Sequence, residues 1–446
     1  MNKVNPTRWV PSLYFMEALP YVAVNVISVI MYKEMGLSNT ELALYTSWMY
    51  LPWVIKPLWS PVVDSIATER KWIIITQLLC GTGLAGVAFT LPTSYWLQAS
   101  IAFLWLVAFS SATHDIAADG FYIVALDSNK QALFVGIRST FYRIGMIFGQ
   151  GLLVMMAGWI QNGARFGNAD DAFALFSNTS VDFAWAVTFM TMAVIALILM
   201  AYHKFALPKA DKDVEFENRQ KLPLNKVLKN TAFDFWKTVK IFFSKKQIWA
   251  ALLFMLLFRF PEAQLVKIAS PFMLDEVGNG GMGLTTEFVG FIYGTVGVIG
   301  LLIGGILGGV LVARQGLKRW LWPMVMAISI PDAVYLYMSL TQTDSAFLIA
   351  SCVFVEQLGY GFGFTAYMMF LIYFARGESS TSVYALCTAF MALGMMLPGM
   401  MAGWLSDVLG YQNFFIWILV ACSVTFIVTA FLHIDPEFGK KVEKKD

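Results

Sequence analysis

Long apolar runs separated by short polar segments are the main pattern along the chain. A helix that crosses a bilayer needs about 20 mostly apolar residues, and each of these runs reaches that length. Six runs precede a stretch that is rich in charge, and six follow it. The pattern therefore predicts twelve membrane-spanning helices, numbered here as spans one to twelve. Their expected bounds are about 10–33, 40–62, 72–92, 96–125, 132–160, 181–202, 247–274, 286–313, 319–340, 345–375, 381–408 and 411–433.

The charged stretch between spans six and seven divides the predicted helices into two equal sets. We expect an all-α membrane protein with an N-terminal six-helix bundle at 1–202 and a C-terminal six-helix bundle with a basic tail at 247–446. Residues 203–246 form the predicted linker. Within it, Val227–Phe243 alternates lysines with aromatic residues, which predicts an amphipathic helix on the membrane surface.

Composition supports a membrane protein and excludes several other classes. The 446 residues are 58% hydrophobic and only 13% charged, whereas a soluble protein carries about 25% charged residues. A soluble enzyme and a disordered scaffold are therefore disfavoured. With 31 basic and 29 acidic residues the net charge is +2, so nucleic acid is not an expected partner. The four cysteines lie in apolar runs without the spacing of a metal site, and no cofactor is expected.

The distribution of basic residues predicts the orientation. Lysine and arginine are concentrated in the linker, in the loops near Arg70 and Arg314, and in the tail at Lys440–Lys445. Loops with this excess face the cytoplasm, so both termini are expected on the cytoplasmic side. The loop at about 275–287 contains acidic residues but no lysine or arginine, which fits the outer side.

Ionisable side chains inside the predicted spans are the strongest indication of function. Such residues are costly in a membrane and usually mark a substrate or ion pathway, or a paired structural site. They are Glu17 in span one, Lys56 in span two, His114, Asp115 and Asp119 in span four, Arg138 and Arg143 in span five, Arg259, Glu262 and Lys267 in span seven, Asp332 in span nine and Glu356 in span ten.

Depth arithmetic suggests partners for some of these charges. Asp115 lies about ten residues, or roughly 15 Å, from the inner end of span four, and Arg143 lies at a similar depth in span five. Asp119 and Arg138 are both nearer that end. We therefore predict two ion pairs, Asp115–Arg143 above Asp119–Arg138. Because Arg138 and Arg143 are five residues apart and do not share one helix face, a single pair is the alternative.

Two interpretations of the buried charges stay open. The first is that they form neutralised salt bridges that only fix helix register, which we favour for Asp119–Arg138. The second is a substrate or coupling role, because a desolvated carboxylate beside a cation can exchange a proton. His114 fits either a proton relay or a hydrogen-bonded structural role. We favour the second interpretation for Asp115, Arg143, Arg259, Glu262 and Glu356.

Deep cations also indicate the kind of substrate. An arginine without a carboxylate partner suits an anionic group, because guanidinium binds carboxylate or phosphate through two parallel hydrogen bonds. Aromatic side chains among these cations offer flat faces that suit sugar rings. The expected substrate-binding residues are Lys56, Arg143, Arg259 and Lys267, with Tyr142 and Trp53 as aromatic faces.

Span eight is rich in glycine, with Gly300, Gly304 and Gly308 four residues apart. Small residues at this spacing let helices approach closely in lipid. Gly145 and Gly149 in span five offer a matching face. Beyond ordinary helix packing, spans five and eight are candidates for a seam between the two halves.

Five short motifs lie in order along spans two, four, five, seven and ten. They are Lys56–Asp64 followed by Arg70–Trp72, then His114–Asp119, Tyr142–Met146, Phe258–Ala263 and Glu356–Gly363. Together they resemble the motifs of the AmpG-type permeases of the major facilitator superfamily, which are related to acetyl-CoA transporters. His114 departs from the family, which often has glutamine there, and so does Glu17 ahead of Leu19-Pro20.

The resemblance implies a fold in which two bundles rock about a central site. It also implies a functional monomer that imports anhydromuropeptides, cell-wall fragments built on amino sugars, across the bacterial inner membrane with the proton gradient. Gln357 joins the expected substrate residues, and Asp64, Arg70 and Arg138 become gating or motif residues. Proton coupling is then expected among Asp115, Glu262, Glu356, Asp119, His114 and Glu17.

Other functions remain as alternatives. A carrier for acidic disaccharides from the breakdown of a glycosaminoglycan-like polysaccharide would need the same residue types. A transporter-like sensor would have the same sequence pattern. A membrane-embedded enzyme such as an acyltransferase is the alternative from another class. It is disfavoured because the sequence has no HExxH pair, no G-x-S-x-G turn and no Walker loop.

Overall fold

In the computed structural model, the described residues are 5–126, 128–162, 180–208, 224–377 and 380–439. Across these ranges all regular structure is helical, and no strand occurs. The all-α fold class is therefore confirmed. Linker residues 209–223 and the predicted basic tail at 440–446 lie outside the described part of the chain.

The first six predicted spans are helical, with span two divided into two shorter helices. Span five passes through a π-helical turn at Ile147–Leu153, a feature that often marks functional sites. The helices are Pro6–Glu34 in span one, Asn39–Trp48 and Leu51–Ile66 in span two, Glu69–Thr90 in span three, Trp96–Ala125 in span four, Ser128–Met146 and Val154–Asn162 in span five, and Val181–Ala206 in span six.

The later spans are helical too, and a linker helix precedes them at Leu224–Phe243, close to its predicted place. Spans eleven and twelve are joined at Gly410, where a φ of 73° turns the chain. The helices are Ile248–Leu257 and Phe260–Leu274 in span seven, Thr286–Gln315 in span eight, Leu317–Ser329 and Ala333–Thr341 in span nine, Ala346–Ala375 in span ten, and Ser380–Ala430 across spans eleven and twelve.

Two of the spans in the second half are interrupted inside the membrane region. Span seven breaks at Arg259, just before Pro261, and span nine breaks at a 3₁₀ turn, Ile330–Asp332. Proline lacks the backbone N–H of a helix interior, so each break coincides with the start of a new helix. The breaks place Glu262 in the first turn of one helix and Asp332 directly before another.

The chain forms two compact units. Unit 1 comprises Met1–Met35, Ile55–Phe235 and Thr286–Gly290, and unit 2 comprises Gly36–Val54, Trp236–Thr285 and Phe291–Asp446. The first helix of span two thus belongs to unit 2, and the first turn of span eight belongs to unit 1. The bundle limits predicted from the sequence stay a prediction.

Each unit has an aromatic core. In unit 1, Trp9 of span one meets Phe121 of span four edge to face, with ring centres 5.1 Å apart. In unit 2, Phe258 of span seven stacks on Tyr367 of span ten at 5.2 Å, and Phe254 packs against both. Large rings contribute much of the packing that joins helices in lipid, where the hydrophobic drive is absent.

The glycines of span eight pack against span ten in unit 2. A Cβ atom at Gly300 would lie 2.7 Å from the carbonyl oxygen of Phe354, and one at Gly304 would overlap the carbonyl of Leu358. Gly145 and Gly149 of span five instead approach span one in unit 1. The predicted matching of these two glycines with span eight is therefore wrong, because span one already occupies their face. Spans five and eight do approach each other in unit 1, at Gly290, where a Cβ atom would lie 3.0 Å from the backbone nitrogen of Met155.

The close approach at Gly304 leads to a stability prediction. Gly304→Ala places a methyl group onto backbone atoms that cannot move aside, so we expect a loss of about 1–3 kcal/mol, the usual effect of overpacking. Gly309→Ala is the control, because a Cβ atom there has nothing within 4 Å. Thermal unfolding of both purified variants in detergent measures the difference. Equal melting temperatures would contradict the tight contact between spans eight and ten.

Candidate functional site

In unit 1, Asp115 of span four is paired with Lys56 of span two. The structure therefore differs from the predicted Asp115–Arg143 pair. Residues five apart on a helix point about 140° away from each other, so only one of Arg138 and Arg143 can face span four. The second helix of span two supplies the ammonium group instead. Both side chains of the pair are mostly buried, with 28% exposure for Lys56 and 23% for Asp115.

The second predicted pair, Asp119–Arg138, is confirmed, with Nη2 of Arg138 2.6 Å from Oδ1 of Asp119. Tyr14 of span one donates its hydroxyl to the same oxygen at 3.3 Å. The guanidinium also lies 4.4 Å from the centre of the Tyr14 ring. Spans one, four and five are thus joined at one point. Asp119 and Arg138 are more exposed than the Lys56–Asp115 pair, at 39% and 31%.

Glu17 of span one adds a third carboxyl to this cluster. It is 8% exposed, and one oxygen each from Glu17, Asp115 and Asp119 lies within 4.8 Å of the others. Oε2 of Glu17 has no hydrogen-bond partner among the described residues. Three carboxyl groups thus face two cations, Lys56 and Arg138. The cluster can take up one further positive charge.

Arg143 is partly buried in unit 1, and no carboxylate of the described residues lies within salt-bridge distance of it. Its neighbour Tyr142 packs against the aromatic core formed around Tyr14 and Phe121. An arginine held in such surroundings can bind an anionic group from a ligand.

His114 belongs to a chain of buried hydrogen bonds in unit 1. The side-chain nitrogen of Gln77 lies 3.0 Å from Nε2 of His114, and the amide oxygen of Gln77 lies 2.9 Å from Nδ1 of His203. Nε2 of His203 is 2.9 Å from the hydroxyl of Ser12. Because an amide nitrogen only donates and an amide oxygen only accepts, Nε2 of His114 is an acceptor and Nδ1 of His203 carries hydrogen.

Gln77 and His203 are not among the site residues expected from the sequence. Both are completely buried, and His114 is 1% exposed. One signal was present: His203 is one of only three histidines in the chain and lies in the last turn of span six. Which residues it would contact depends on helix packing, which the sequence did not supply.

Arg70, at the start of span three, binds the end of span six within unit 1. Its guanidinium donates to the carbonyl of Lys204 at 2.6 Å and to that of Leu207 at 3.1 Å. A cation at the last carbonyls of a helix donates hydrogen bonds to carbonyl groups that have no partner in the helix. It also interacts favourably with the negative end of the helix dipole. The side chain of Asp64, the other motif residue expected here, lies outside the described part of the structure.

Unit 2 brings together three buried carboxyl groups from spans seven, nine and ten, called here the carboxyl triad: Glu262, Asp332 and Glu356. Their exposures are 5%, 2% and 3%, and one oxygen from each lies within 4.8 Å of the others. At this distance two negative charges repel by about 3 kcal/mol with an effective dielectric of about 20. The three groups therefore cannot all stay ionised without a proton or another cation.

The oxygens of the carboxyl triad differ in whether they have hydrogen-bond partners. Glu356 accepts hydrogen bonds from Tyr335 at 3.3 Å and from the amide of Gln357 at 3.0 Å. Sγ of Cys422 lies 3.6 Å from Oδ2 of Asp332. Oε2 of Glu262 and Oδ1 of Asp332 are buried without a hydrogen-bond partner in the described ranges. Gln357, expected at the substrate, contacts the triad.

Arg259 lies at the break of span seven in unit 2. Nη2 of its guanidinium donates to the hydroxyl of Tyr360, and the group lies 4.9 Å from the centre of the Phe364 ring. Its Nε is buried without a partner, and no carboxylate that the structure describes is within salt-bridge distance. Arg259 thus keeps a free donor in an aromatic setting.

Lys267 is a second cation of unit 2 without a carboxylate partner in the described residues. It is 2% exposed. Its ammonium group donates to Oγ1 of Thr46 at 3.0 Å and lies 5.2 Å from the centre of the Tyr50 ring. Trp53 packs against Tyr50 at 6.4 Å, which brings another predicted site residue near Lys267.

Apolar helices of spanning length, with unbalanced charges buried inside each unit, are typical of a multi-span membrane transporter. The Major Facilitator Superfamily model matches residues 12–398, so the chain belongs to that superfamily. It is 24% identical over 375 residues to the anhydromuropeptide permease of Escherichia coli K12, covering 83% of this chain and 68% of that protein. It is 23% identical to the Rickettsia conorii protein named "Putative transporter AmpG 4", covering 94% of this chain and 95% of that protein.

Solved structures agree on the fold. A D-xylose–proton symporter matches with a TM-score of 0.67 at 11% identity, over 99% of both chains. The nucleoside transporter NupG matches with a TM-score of 0.65 at 14% identity, over 97% of this chain and 98% of that one. The resemblance to AmpG-type permeases found in the sequence is confirmed. These relatives are permeases and transporters, not enzymes.

Proposed function

We propose that the protein is a proton-coupled symporter that imports an anhydromuropeptide or a related amino-sugar compound by alternating access. The observation that carries this proposal is the pair of buried cations in unit 2, Arg259 and Lys267, without carboxylate partners in the described residues. Muropeptides combine sugar rings with peptide carboxylates, so cations beside aromatic faces match both parts. The name of the Escherichia coli relative points to the same substrate class.

The substrate side of the proposal rests on the residues expected from the sequence. Arg259 offers a free donor, and Lys267 lies beside the aromatic pair Tyr50–Trp53. In unit 1, Arg143 and Tyr142 provide a similar combination. Lys56 is engaged with Asp115, so it meets substrate only if that pair opens. Gln357 donates a hydrogen bond to Glu356, so in this proposal its effect on the substrate is indirect and depends on the position of Glu356.

The proton side rests on the excess of carboxyl groups. In unit 1 there are three carboxyl groups, Glu17, Asp115 and Asp119, for two cations, Lys56 and Arg138. His114, fixed by Gln77, has a structural role in our proposal, because its Nε2 accepts a hydrogen bond and the ring stays neutral. In unit 2, Glu262 and Glu356 lie together and repel each other unless one is protonated.

The proposal includes an orientation and a monomeric state. The basic residues of the linker and tail support an orientation with both termini in the cytoplasm of a bacterium and the spans in its inner membrane. Asp64, Arg70 and Arg138 act as gating residues near the cytoplasmic ends of the helices. Arg70 supports this role because it holds the end of span six.

A second candidate substrate is an acidic disaccharide released from a glycosaminoglycan-like polysaccharide. It carries a carboxylate on a sugar ring, so Arg259 and Lys267 suit it equally well. If the protein were instead a sensor that binds without transport, no substrate would move across the membrane.

Uptake into proteoliposomes tests the proposal. Labelled anhydromuropeptide, acidic disaccharide, neutral disaccharide and acetyl-CoA are offered with and without an inward proton gradient. We expect accumulation of the muropeptide above its external concentration only with the gradient, because coupling links substrate uptake to proton entry. Accumulation of the acidic disaccharide alone would select the second candidate. If no anionic or amino sugar accumulated, the proposed function would be wrong.

A further inference from the structure

We infer that the carboxyl triad, Glu262, Asp332 and Glu356, binds the small monovalent cation whose gradient drives transport, with Asp332 as its third ligand. The inference rests on the proposed function and deepens it, because Asp332 is not among the coupling residues expected from the sequence. A proton and Na⁺ share the chemistry that the triad offers, namely a positive charge held by carboxylate oxygens.

The unsatisfied oxygens of the triad point to a ligand. Oε2 of Glu262 and Oδ1 of Asp332 belong to side chains that are at least 95% buried, and neither has a hydrogen-bond partner in the described residues. Unpaired buried carboxylate oxygens are strongly unfavourable, so a bound cation or proton is their natural partner. Glu356 is already oriented by Tyr335 and Gln357, so it provides a fixed third oxygen.

The carboxyl cluster of unit 1 is paired with protein cations, whereas the carboxyl triad of unit 2 is not. In unit 1, Asp115 and Asp119 each have a protein cation, Lys56 and Arg138. Around the triad, no lysine or arginine of the described ranges lies within salt-bridge distance. The groups in contact with it are the amide of Gln357, the hydroxyl of Tyr335, which lies 2.6 Å from that of Tyr293, and the thiol of Cys422. Arg259 acts on Glu262 electrostatically from beyond salt-bridge distance, so an ion from solution meets no directly paired lysine or arginine at the triad.

The distances fit a single ion. Oxygen ligands lie about 2.3–2.6 Å from a hard cation such as Ca²⁺, and Na⁺ is of similar size, so three oxygens around one ion are separated by up to about 4.5 Å. The triad oxygens lie within 4.8 Å of one another, so a small movement brings all three into contact with one ion. The helix breaks at Arg259 and Ile330–Asp332 place two of the carboxyls at the starts of helices. Interrupted spans of this kind commonly hold substrate and coupling ions in secondary transporters.

The test uses Asp332→Asn, which removes the charge but keeps the shape. Asp344→Asn is the matched control, an exposed carboxylate before span ten. Proteoliposomes with each variant and the unaltered protein are given labelled anhydromuropeptide in three arms: exchange without a gradient, an inward proton gradient, and an inward Na⁺ gradient. In Asp332→Asn we expect exchange to persist, and gradient-driven accumulation to fall about 5- to 150-fold, the range of a typical coupling free energy.

The arms separate the possible outcomes. If the unaltered protein accumulates labelled anhydromuropeptide under only one of the two gradients, that gradient identifies the cation as a proton or as Na⁺. Asp344→Asn should accumulate the substrate to the same level as the unaltered protein. Equal accumulation by Asp332→Asn and Asp344→Asn would overturn the inference. Glu356→Gln is the second variant. If both triad variants lost exchange as well as accumulation, the triad would be needed for folding or substrate binding, and the inference would also fail.

A measurement without substrate separates the inference from the proposed function. Proton uptake after a pH jump, and binding of ²²Na⁺, are compared between the unaltered protein and Asp332→Asn in detergent. We expect the variant to lose at least one of these signals, and Asp332→Glu to restore it. If no muropeptide is transported but this difference is found, the substrate proposal fails and the cation site stands. If neither signal changes in Asp332→Asn, the cation site is wrong.

Discussion

Lys56→Met should destabilise the protein by about 2–4 kcal/mol, because it leaves the carboxylate of Asp115 without its cation. Breaking a fully buried ion pair usually costs about 3–5 kcal/mol. The effect expected here is somewhat smaller, since the side chains of Lys56 and Asp115 are 28% and 23% exposed. Asp115→Asn should have a similar effect, because it leaves an unpaired ammonium group.

The double variant with both changes should recover most of the lost stability. Two neutral side chains of similar size leave no uncompensated charge, and such replacements are often close to neutral. The coupling free energy from this double-mutant cycle isolates the ion pair from the packing of the two side chains. Thermal unfolding in detergent, followed for all four proteins, provides the measurement.

The neighbouring pair Asp119–Arg138 is the matched comparison. Its side chains are 39% and 31% exposed, so its coupling free energy should be only about 0–1 kcal/mol. A coupling for Lys56–Asp115 no larger than this would show that the pair is solvated and contributes little. Additive losses in the Lys56→Met/Asp115→Asn variant would have the same meaning.

The helices of the fold were predictable because run length alone determines them in a membrane. The Asp119–Arg138 pair was also predictable, since both residues lie at the same distance from one helix end and spans four and five are adjacent in the chain. Lys56 was not found as the partner of Asp115 because span two is divided between Trp48 and Leu51, which makes depth along it hard to count.

The carboxyl triad could not be assembled from the sequence. Glu262, Asp332 and Glu356 lie in three spans, and whether they meet depends on which helices are neighbours and on the rotation of each about its axis. The breaks near Pro261 and Pro331 change that rotation. The prolines were visible signals, but the direction in which each new helix starts is a result of packing.

The hydrogen-bonded chain through His114 also depends on which helices are neighbours, so it could not be predicted from the sequence. Span four gives the depth of His114 but not the identity of its partner, and the side chains that reach it come from Gln77 in span three and His203 in span six. Polar residues that are neutral and not clustered in sequence carry little signal in a membrane helix. Their burial becomes evident only from the packed structure.

Arg259→Ala should raise the half-saturation concentration for an anionic sugar compound by about 10- to 100-fold, the loss expected when hydrogen bonds to a charged group are removed. A neutral disaccharide should change by less than about threefold, because it makes no such charged bond. Arg259→Lys should fall between, since it keeps the charge but loses the planar pair of donors. Exchange in proteoliposomes, measured over a range of concentrations for both sugars, provides the comparison.

The specificity of this effect separates substrate binding from structure. Arg259 also donates to Tyr360 and packs on Phe364, so its removal disturbs unit 2 in any case. A structural disturbance would weaken the binding of both sugars equally. Loss of a direct contact with the anionic group would weaken the binding of the anionic sugar compound only. Arg314→Ala, at an exposed arginine near the end of span eight, removes the same charge away from the site and should leave both constants unchanged. Equal losses for both sugars in Arg259→Ala would therefore assign Arg259 to packing alone.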